Sequence, residues 1–213
     1  GVLTCALPIS LVHKTAGPGD WEAEPEMTDA APERVRSIDD NQDALLWRLR
    51  LIEAAQEQII LATFDFWDEE GGRDVMGALW NAAERGVDVH LILPGKPDKR
   101  IPYALAKTHY AALIRSGVKI SEWVPGFVHA KVFVVDDREA VVGTINLDYR
   151  SLYHHFEDAV WMVDAPCIPA IEDDFQRTLT QCRTVEATKQ SIWQGQTLLR
   201  LTGRLVKAIA PLL

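Results

Sequence analysis

The sequence predicts an α/β domain in which helices are layered against a mixed, largely parallel β-sheet. Three features predict it. Short apolar runs, IILATFDF (59–66) and VDVHLIL (87–93), alternate with helical stretches, the pattern of a strand–helix–strand crossover. HAKVFVVD and REAVVG read as two strands parted only by a tight turn near Asp137. At 213 residues, with 47% hydrophobic and 25% charged content, the chain suffices for one sizeable core and leaves little for a second.

The elements follow in order. Residues 1–37 read as linker or disorder, rich in Pro, Gly, Ala and Glu without periodicity. Their first ten, GVLTCALPIS, resemble an in-frame translation of a sequencing adapter and are set aside as an artefact. Order is expected from residue 38 to 186. Asp39 or Asp40 caps a helix whose Leu45, Leu46, Leu49, Ile52 and Ala55 form one apolar stripe. The 59–66 strand follows. Gly71 and Gly72 break the chain before a helix bearing Val75, Met76, Leu79 and Ala83, which Gly86 ends. After strand 87–93, a helix over 103–115 stops at Gly117 and leads into the short strand VKISEW. The two strands around Asp137 come next, then a loop over 146–155 and the strand EDAVWMV (157–163). Helices near 168–186 and 190–210 finish the chain, with 187–213 set apart as a C-terminal amphipathic helix.

Charge and cysteine usage exclude some classes. Of the net −9, a charge of −7 lies between residues 19 and 43, where nine acids face Arg34 and Arg36. The chain shows no basic stripe of the kind nucleic-acid binders use, so nucleic acid is an unlikely partner. Cys5, Cys167 and Cys182 have no CxxC or metal-ligand spacing, which suits a reduced protein without a disulfide framework. No run approaches the roughly 20 apolar residues that span a bilayer.

The stretch FVHAKVFVVDDREAVVGTINLDYRS (127–151) carries the chemistry. Strand alternation puts His129, Lys131 and Phe133 on one face, with Val132 and Val134 on the other. An apolar strand interrupted by an HxK pair, and followed by Thr144 and Asn146, suits an oxyanion: an amine, a hydroxyl and an amide bind phosphate oxygens beside an imidazole that attacks or moves protons.

HxKxxxxD followed by GTxN resembles the HKD motif of the phospholipase D superfamily. PGKPDKR (94–100), VKISEWVPGFVHAKVFVVDD and GTINLDYRSLYHHFE (143–157) are similar to the second half of bacterial cardiolipin synthases, over roughly residues 86–183. LLWRLRLIEAAQEQIILATFDFWDEEGGRDVM looks more like the entry to a first HKD half. The resemblance implies a phospholipase D-like α/β/α domain. It implies His129 as the nucleophile on phosphorus, Lys131 and Asn146 neutralising the non-bridging oxygens, and Thr144 adding a hydrogen bond. Glu157 matches the family's downstream carboxylate that orients the imidazole, and Asp136 closes the motif more as a structural partner than a proton carrier. Arg150 is a candidate for a lipid phosphate or a loop brace, and His155 for the pocket wall. No cofactor and no metal are implied, and His154 with His155 is not read as a metal pair.

The chain departs from the family in having one such motif, since Val12-His13-Lys14 lacks the spacer. The implied partner is a second copy in a homodimer, or a first HKD half carried elsewhere. The implied reaction joins two phosphatidylglycerols into cardiolipin plus glycerol through a phosphatidyl-histidine, peripherally at the cytoplasmic membrane. The alternatives are a homodimeric phosphodiesterase or nuclease, and an inactive fragment. Lys96, Lys99 and Arg100 read as a solvated loop beside a ligand-binding strand end, and Trp123, Phe127, Tyr149 and Tyr153 as core packing before an acyl-chain rim. In the tail, Leu198, Leu201, Leu205, Ile209 and Leu212 recur at helical spacing beside Arg200, Arg204 and Lys207. Such a helix lies on anionic lipid or docks on the domain.

Overall fold

The computed structural model describes residues 35–38, 41–63, 71–97, 99–126, 128–147, 151 and 157–209. Residues 1–34 of the expected linker, which include the adapter-like start, and the Asp39 or Asp40 cap lie outside them. Eight strands form one sheet: β1 (Val35–Ile38), β2 (Gln58–Thr63), β3 (Asp88–Pro94), β4 (Lys119–Trp123), β5 (Lys131–Val135), β6 (Glu139–Gly143), β7 (Ala159–Val163) and β8 (Cys182–Val185). Their spatial order is β1-β7-β6-β5-β2-β3-β4-β8. The helices are α1 (Asn41–Ala54), α2 (Gly72–Glu84), α3 (Arg100–Arg115), α4 (Ile168–Leu179), α5 (Lys189–Trp193) and α6 (Thr197–Ile209).

The layered α/β class holds, with a correction to the sheet. It is mixed but mostly antiparallel: β2, β3 and β4 run parallel, and every other neighbouring pair runs antiparallel. The parallel share is limited to strands joined by a crossover helix, here α2 and α3. The β5–β6 turn and the returns into β7 and β8 each reverse direction.

Both faces of the central strands are covered, which is why they read as unbroken apolar runs. Ile59, Leu61, Phe133 and Val135 belong to a core roofed by Leu51, Ile52, Leu79 and Leu113 of the first three helices. Ile60, Ala62, Val132 and Val134 belong to a second core closed by Ile168, Ile171 and Phe175 of α4. Full burial of each such side chain stabilises by about 1.5–3 kcal/mol.

Three further differences from the sequence reading have physical causes. Val35–Ile38, whose first three residues fall in the expected linker, is an edge strand pairing with β7, and of its four residues only Ile38 is buried. The helix expected to 186 stops at Leu179, and Cys182–Val185 pairs antiparallel with β4 while Val185 enters the core. The tail forms two helices: α5 inserts Ile192 and Trp193 into the first core, and left-handed Gln194 and Gly195 (φ 47° and 78°) break the chain before α6.

A buried ionic cluster fastens this end of the molecule. Glu122 on β4 is fully buried between Lys107 of α3 (Oε1 to Nζ, 3.1 Å) and Arg183 of β8 (Oε2, 2.5 Å). Lys107 also donates to Ile192 O at 2.7 Å and sits over the Tyr103 ring. Burial lowers the Lys107 pKa against the pull of Glu122. Removing one member strands opposite charge in the interior. Glu122→Ala is therefore expected to cost about 3–5 kcal/mol in urea unfolding. Lys119→Ala, which breaks an exposed pair with Asp88, is expected to cost under about 1 kcal/mol.

Candidate active site

The site residues gather at one end of the sheet. β5 begins with Lys131 opposite Thr63, the last residue of β2. β6 runs back beside β5 and ends at Gly143, where β7 begins at Ala159. His129, Lys131, Thr144, Asn146 and Glu157 therefore share that end. His129 is exposed just before β5, whereas Lys131 is buried at 6% exposure with Nζ donating to His129 O at 2.8 Å. That bond holds the ammonium next to the His129 backbone, where a positive charge can balance charge on an anion.

The loop after β6 is locked to β7 by sequence-specific means. A side chain at Gly143 would drive its Cβ into Asp158 O and the Ala159 backbone, so only glycine lets the strand ends approach. Thr144 then exchanges bonds with Asp158: its N–H donates to Asp158 O (2.8 Å), and its Oγ1 accepts from the Asp158 N–H (3.1 Å). The Thr144 hydroxyl donates to Glu157 Oε2, and Ser151 Oγ donates to Glu157 Oε1 at 2.9 Å. Two hydroxyls thus orient one half-buried carboxylate. Asn146 is half-buried, and its amide oxygen has no hydrogen-bond partner among the described residues. A buried amide oxygen without a partner is a place for a polar ligand.

Asp136 is not brought into this group. It lies at the other end of β5, in the three-residue turn 136–138, where Asp136 and Asp137 both have positive φ (51° and 55°) and Arg138 N donates to Val135 O. These are the dihedrals of a type I′ turn, which Asp tolerates better than most residues. Its carboxylate accepts from three consecutive backbone amides, Gln56 (2.9 Å), Glu57 (2.8 Å) and Gln58 (2.9 Å). Partial burial raises its pKa, but these donors and Arg138 outweigh that and leave it below the ordinary value. Arg150 and His155 lie outside the described residues, as do Phe127, Asp148, Tyr149, Tyr153 and His154. Trp123 is buried in the second core.

Two contributors escaped the sequence reading. Arg48 of α1 is 3% exposed and donates to Ala44 O and Ile145 O, both at 3.4 Å. Burial lowers its pKa to about 10, while Glu157 pulls it back up. An arginine one helical turn beyond Ala44 in an otherwise apolar stripe was the available signal. Ser151, present in the quoted stretch but given no role, is the second. Among the described residues, no three His, Cys, Asp or Glu side chains group to hold a metal ion.

The fold and this cluster define a phospholipase D-like domain. The family model described as "Cardiolipin synthase, PLD-like domain" matches residues 49–179, and the chain belongs to that family. Cardiolipin synthase A of Pseudomonas aeruginosa is 34% identical over 175 residues, 82% of this chain and 35% of that protein. An uncharacterised protein of Streptococcus mutans is 57% identical over 136 residues, 64% of this chain and 29% of its own length. The chain spans about a third of the length of these curated relatives. Among solved structures, Nuc of Salmonella typhimurium, a phospholipase D family member, has a TM-score of 0.61 at 22% identity, covering 71% of this chain and 99% of that one. Phosphatidylserine synthase of Haemophilus influenzae has a TM-score of 0.63 at 15% identity, covering 84% of this chain and 45% of that one.

Because Asp136 grips backbone amides rather than reacting atoms, Asp136→Asn is expected to lower stability at neutral pH by about 2–3 kcal/mol. Its folded pKa lies below the ordinary 3.8, so its contribution is present above that value and lost as pH falls through the folded pKa. Denaturant melts of wild type and Asp136→Asn should thus differ at pH 7 and converge in acid. A gap that persists at the lowest pH would contradict this assignment.

Proposed function

We propose that the chain provides a phosphatidyl-transfer centre of cardiolipin synthase type. The observation that carries the reading is the buried Lys131 ammonium beside exposed His129, at the sheet end where Thr144 and Ser151 orient Glu157. Membership of the cardiolipin synthase-like family supports the substrate class. His129 attacks the phosphorus of one phosphatidylglycerol. A P–N bond forms, the P–O bond to the head-group glycerol breaks, and the leaving glycerol takes up a proton. The head-group hydroxyl of a second phosphatidylglycerol then attacks, loses its proton and breaks the P–N bond, giving cardiolipin and restoring the imidazole. Lys131 and the Asn146 amide balance charge on the non-bridging oxygens in both steps. Glu157 holds the imidazole in the attacking tautomer, with Arg48 and the two hydroxyls fixing the carboxylate. Arg150 and His155 are proposed to contribute to substrate binding, and no metal or cofactor takes part.

The proton for glycerol needs a second acid. The sequence contains one HxK pair, so that acid comes from a second copy of the chain or from a separate half of the same kind. The proposed setting is an anionic phospholipid bilayer, peripherally on its cytoplasmic face. Nucleic acid is not the proposed substrate. Water reaching the phosphohistidine would release phosphatidic acid instead.

The test is product analysis after adding protein to phosphatidylglycerol vesicles in excess chelator. Wild type is expected to form cardiolipin, with His129→Ala at least about 10³-fold slower and Lys131→Met about 10²–10³-fold slower. Turnover per chain should fall on dilution if two copies share the site. Cardiolipin made equally well by His129→Ala would overturn the reading.

A further inference from the structure

α6 and α3 pack side by side and parallel. Gly203 sits against the Ala104 carbonyl and the Thr108 methyl, where any side chain would collide, and Lys207 Nζ lies 3.5 Å from the His109 ring nitrogens. Leu199 packs against the first core and Val206 is half-buried, so the packed side of α6 is accounted for. A separate stripe is not. Leu198, Leu201 and Leu205, at helical spacing, are 78%, 53% and 64% exposed. Ile101 of α3, one turn before Ala104 on the stripe that meets α6, is 54% exposed. Three leucines and an isoleucine this open are not a packed core, and a patch of this kind normally has an occupant.

Charge says which occupant. Neither α3 nor α6 contains an acidic residue, and residues 187–213 carry Lys189, Arg200, Arg204 and Lys207 with no Asp or Glu, in a chain of net −9. Arg204 and Lys207 on α6, and Lys96, Lys99 and Arg100 before and at the start of α3, are all exposed. An apolar stripe bordered mainly by cations, with Asp98 the one acid in the segment 96–100, matches the boundary between acyl chains and anionic head groups. A second copy of this cation-rich surface would bring like charges together.

We infer that the α3–α6 face, through Ile101, Leu198, Leu201 and Leu205 with Arg204 and Lys207, seats the domain on an anionic lipid surface. The inference rests on the phosphatidyl-transfer reading for its biological sense, but not for its evidence. Both helices start at the sheet end that holds His129, beside a cavity of about 570 Å³ lined by Gly95, Arg100, Tyr103, Leu199 and Thr202. Docking by this face therefore brings that end to the lipid.

Sedimentation with vesicles tests it, comparing phosphatidylcholine alone with an equimolar mixture of phosphatidylcholine and phosphatidylglycerol. Wild type and His129→Ala are expected to bind the mixed vesicles and leave the neutral ones. Leu201→Ser/Leu205→Ser and Arg204→Glu/Lys207→Glu, with unchanged thermal melts, should each weaken binding at least about tenfold. Equal binding by all four proteins would overturn the inference. So would light scattering in which Leu201→Ser/Leu205→Ser converts a dimer to monomer while vesicle binding stays intact, since the stripe would then join two copies. Binding that survives in protein making no cardiolipin would uphold the face and count against the synthase reading alone.

Discussion

The Asp136 carboxylate accepts from the amides of Gln56, Glu57 and Gln58, the turn that delivers the chain into β2, while Asp136 N donates to Gln58 O. This grip sets the register of β5 against β2. Side chains alternate with period two, so a slip of one residue would turn Lys131 and Phe133 to the α4 side and Val132 and Val134 to the other. With Ile59 held opposite Val135, the pairing runs out at Thr63 opposite Lys131. The ammonium is thus aimed by a carboxylate at the far end of the same strand. An acidic residue five positions after a lysine can matter to a reaction without touching any reacting atom.

The second half of the site depends on the first through β6. The tight hairpin at 136–138 fixes β6 against β5, β6 fixes β7, and the close passage at Gly143 brings Thr144 within reach of Asp158 and Glu157. Arg48 closes the arrangement from the opposite direction, as a buried cation of α1 reaching the Ile145 carbonyl. Its burial is unfavourable alone, and proximity to Glu157 offsets part of that cost. The loop is therefore held by covalent continuity, a backbone exchange and a buried charge, which suits a cluster that must keep its geometry while charge on a ligand changes.

How much of this was legible follows from how local each signal is. The strands around Asp137 could be read because apolar alternation and turn chemistry lie within a few residues. The α/β layering followed from helices between apolar runs, but strand direction did not, because it depends on which strands become neighbours. β8 was missed because CRTV follows α4 with no Gly or Pro to mark the break; its pairing with β4 and the Arg183–Glu122 bond are both distant in sequence. β1 was hidden by the acidic composition around it, since three of its four residues stay exposed. At the site, the HxK and GTxN spacing is a local signal, and the structure gathers those residues at one end of the sheet. Arg48 could not be placed there, because an arginine in a helical stripe does not announce which loop it will meet.

The charge distribution links fold to setting. Within one chain of net −9, two neighbouring helices carry no acid at all, and their starts lie at the end of the sheet where Lys131 is buried. The buried Lys107–Glu122–Arg183 cluster ties α3, β4 and β8 together directly beneath that surface, and Lys107 extends the tie to α5 through Ile192 O. That cluster adds one more cation than anion to the interior. A rigid, cation-rich end favours anions without paying to assemble the charges when one arrives, because the protein has already ordered them on folding.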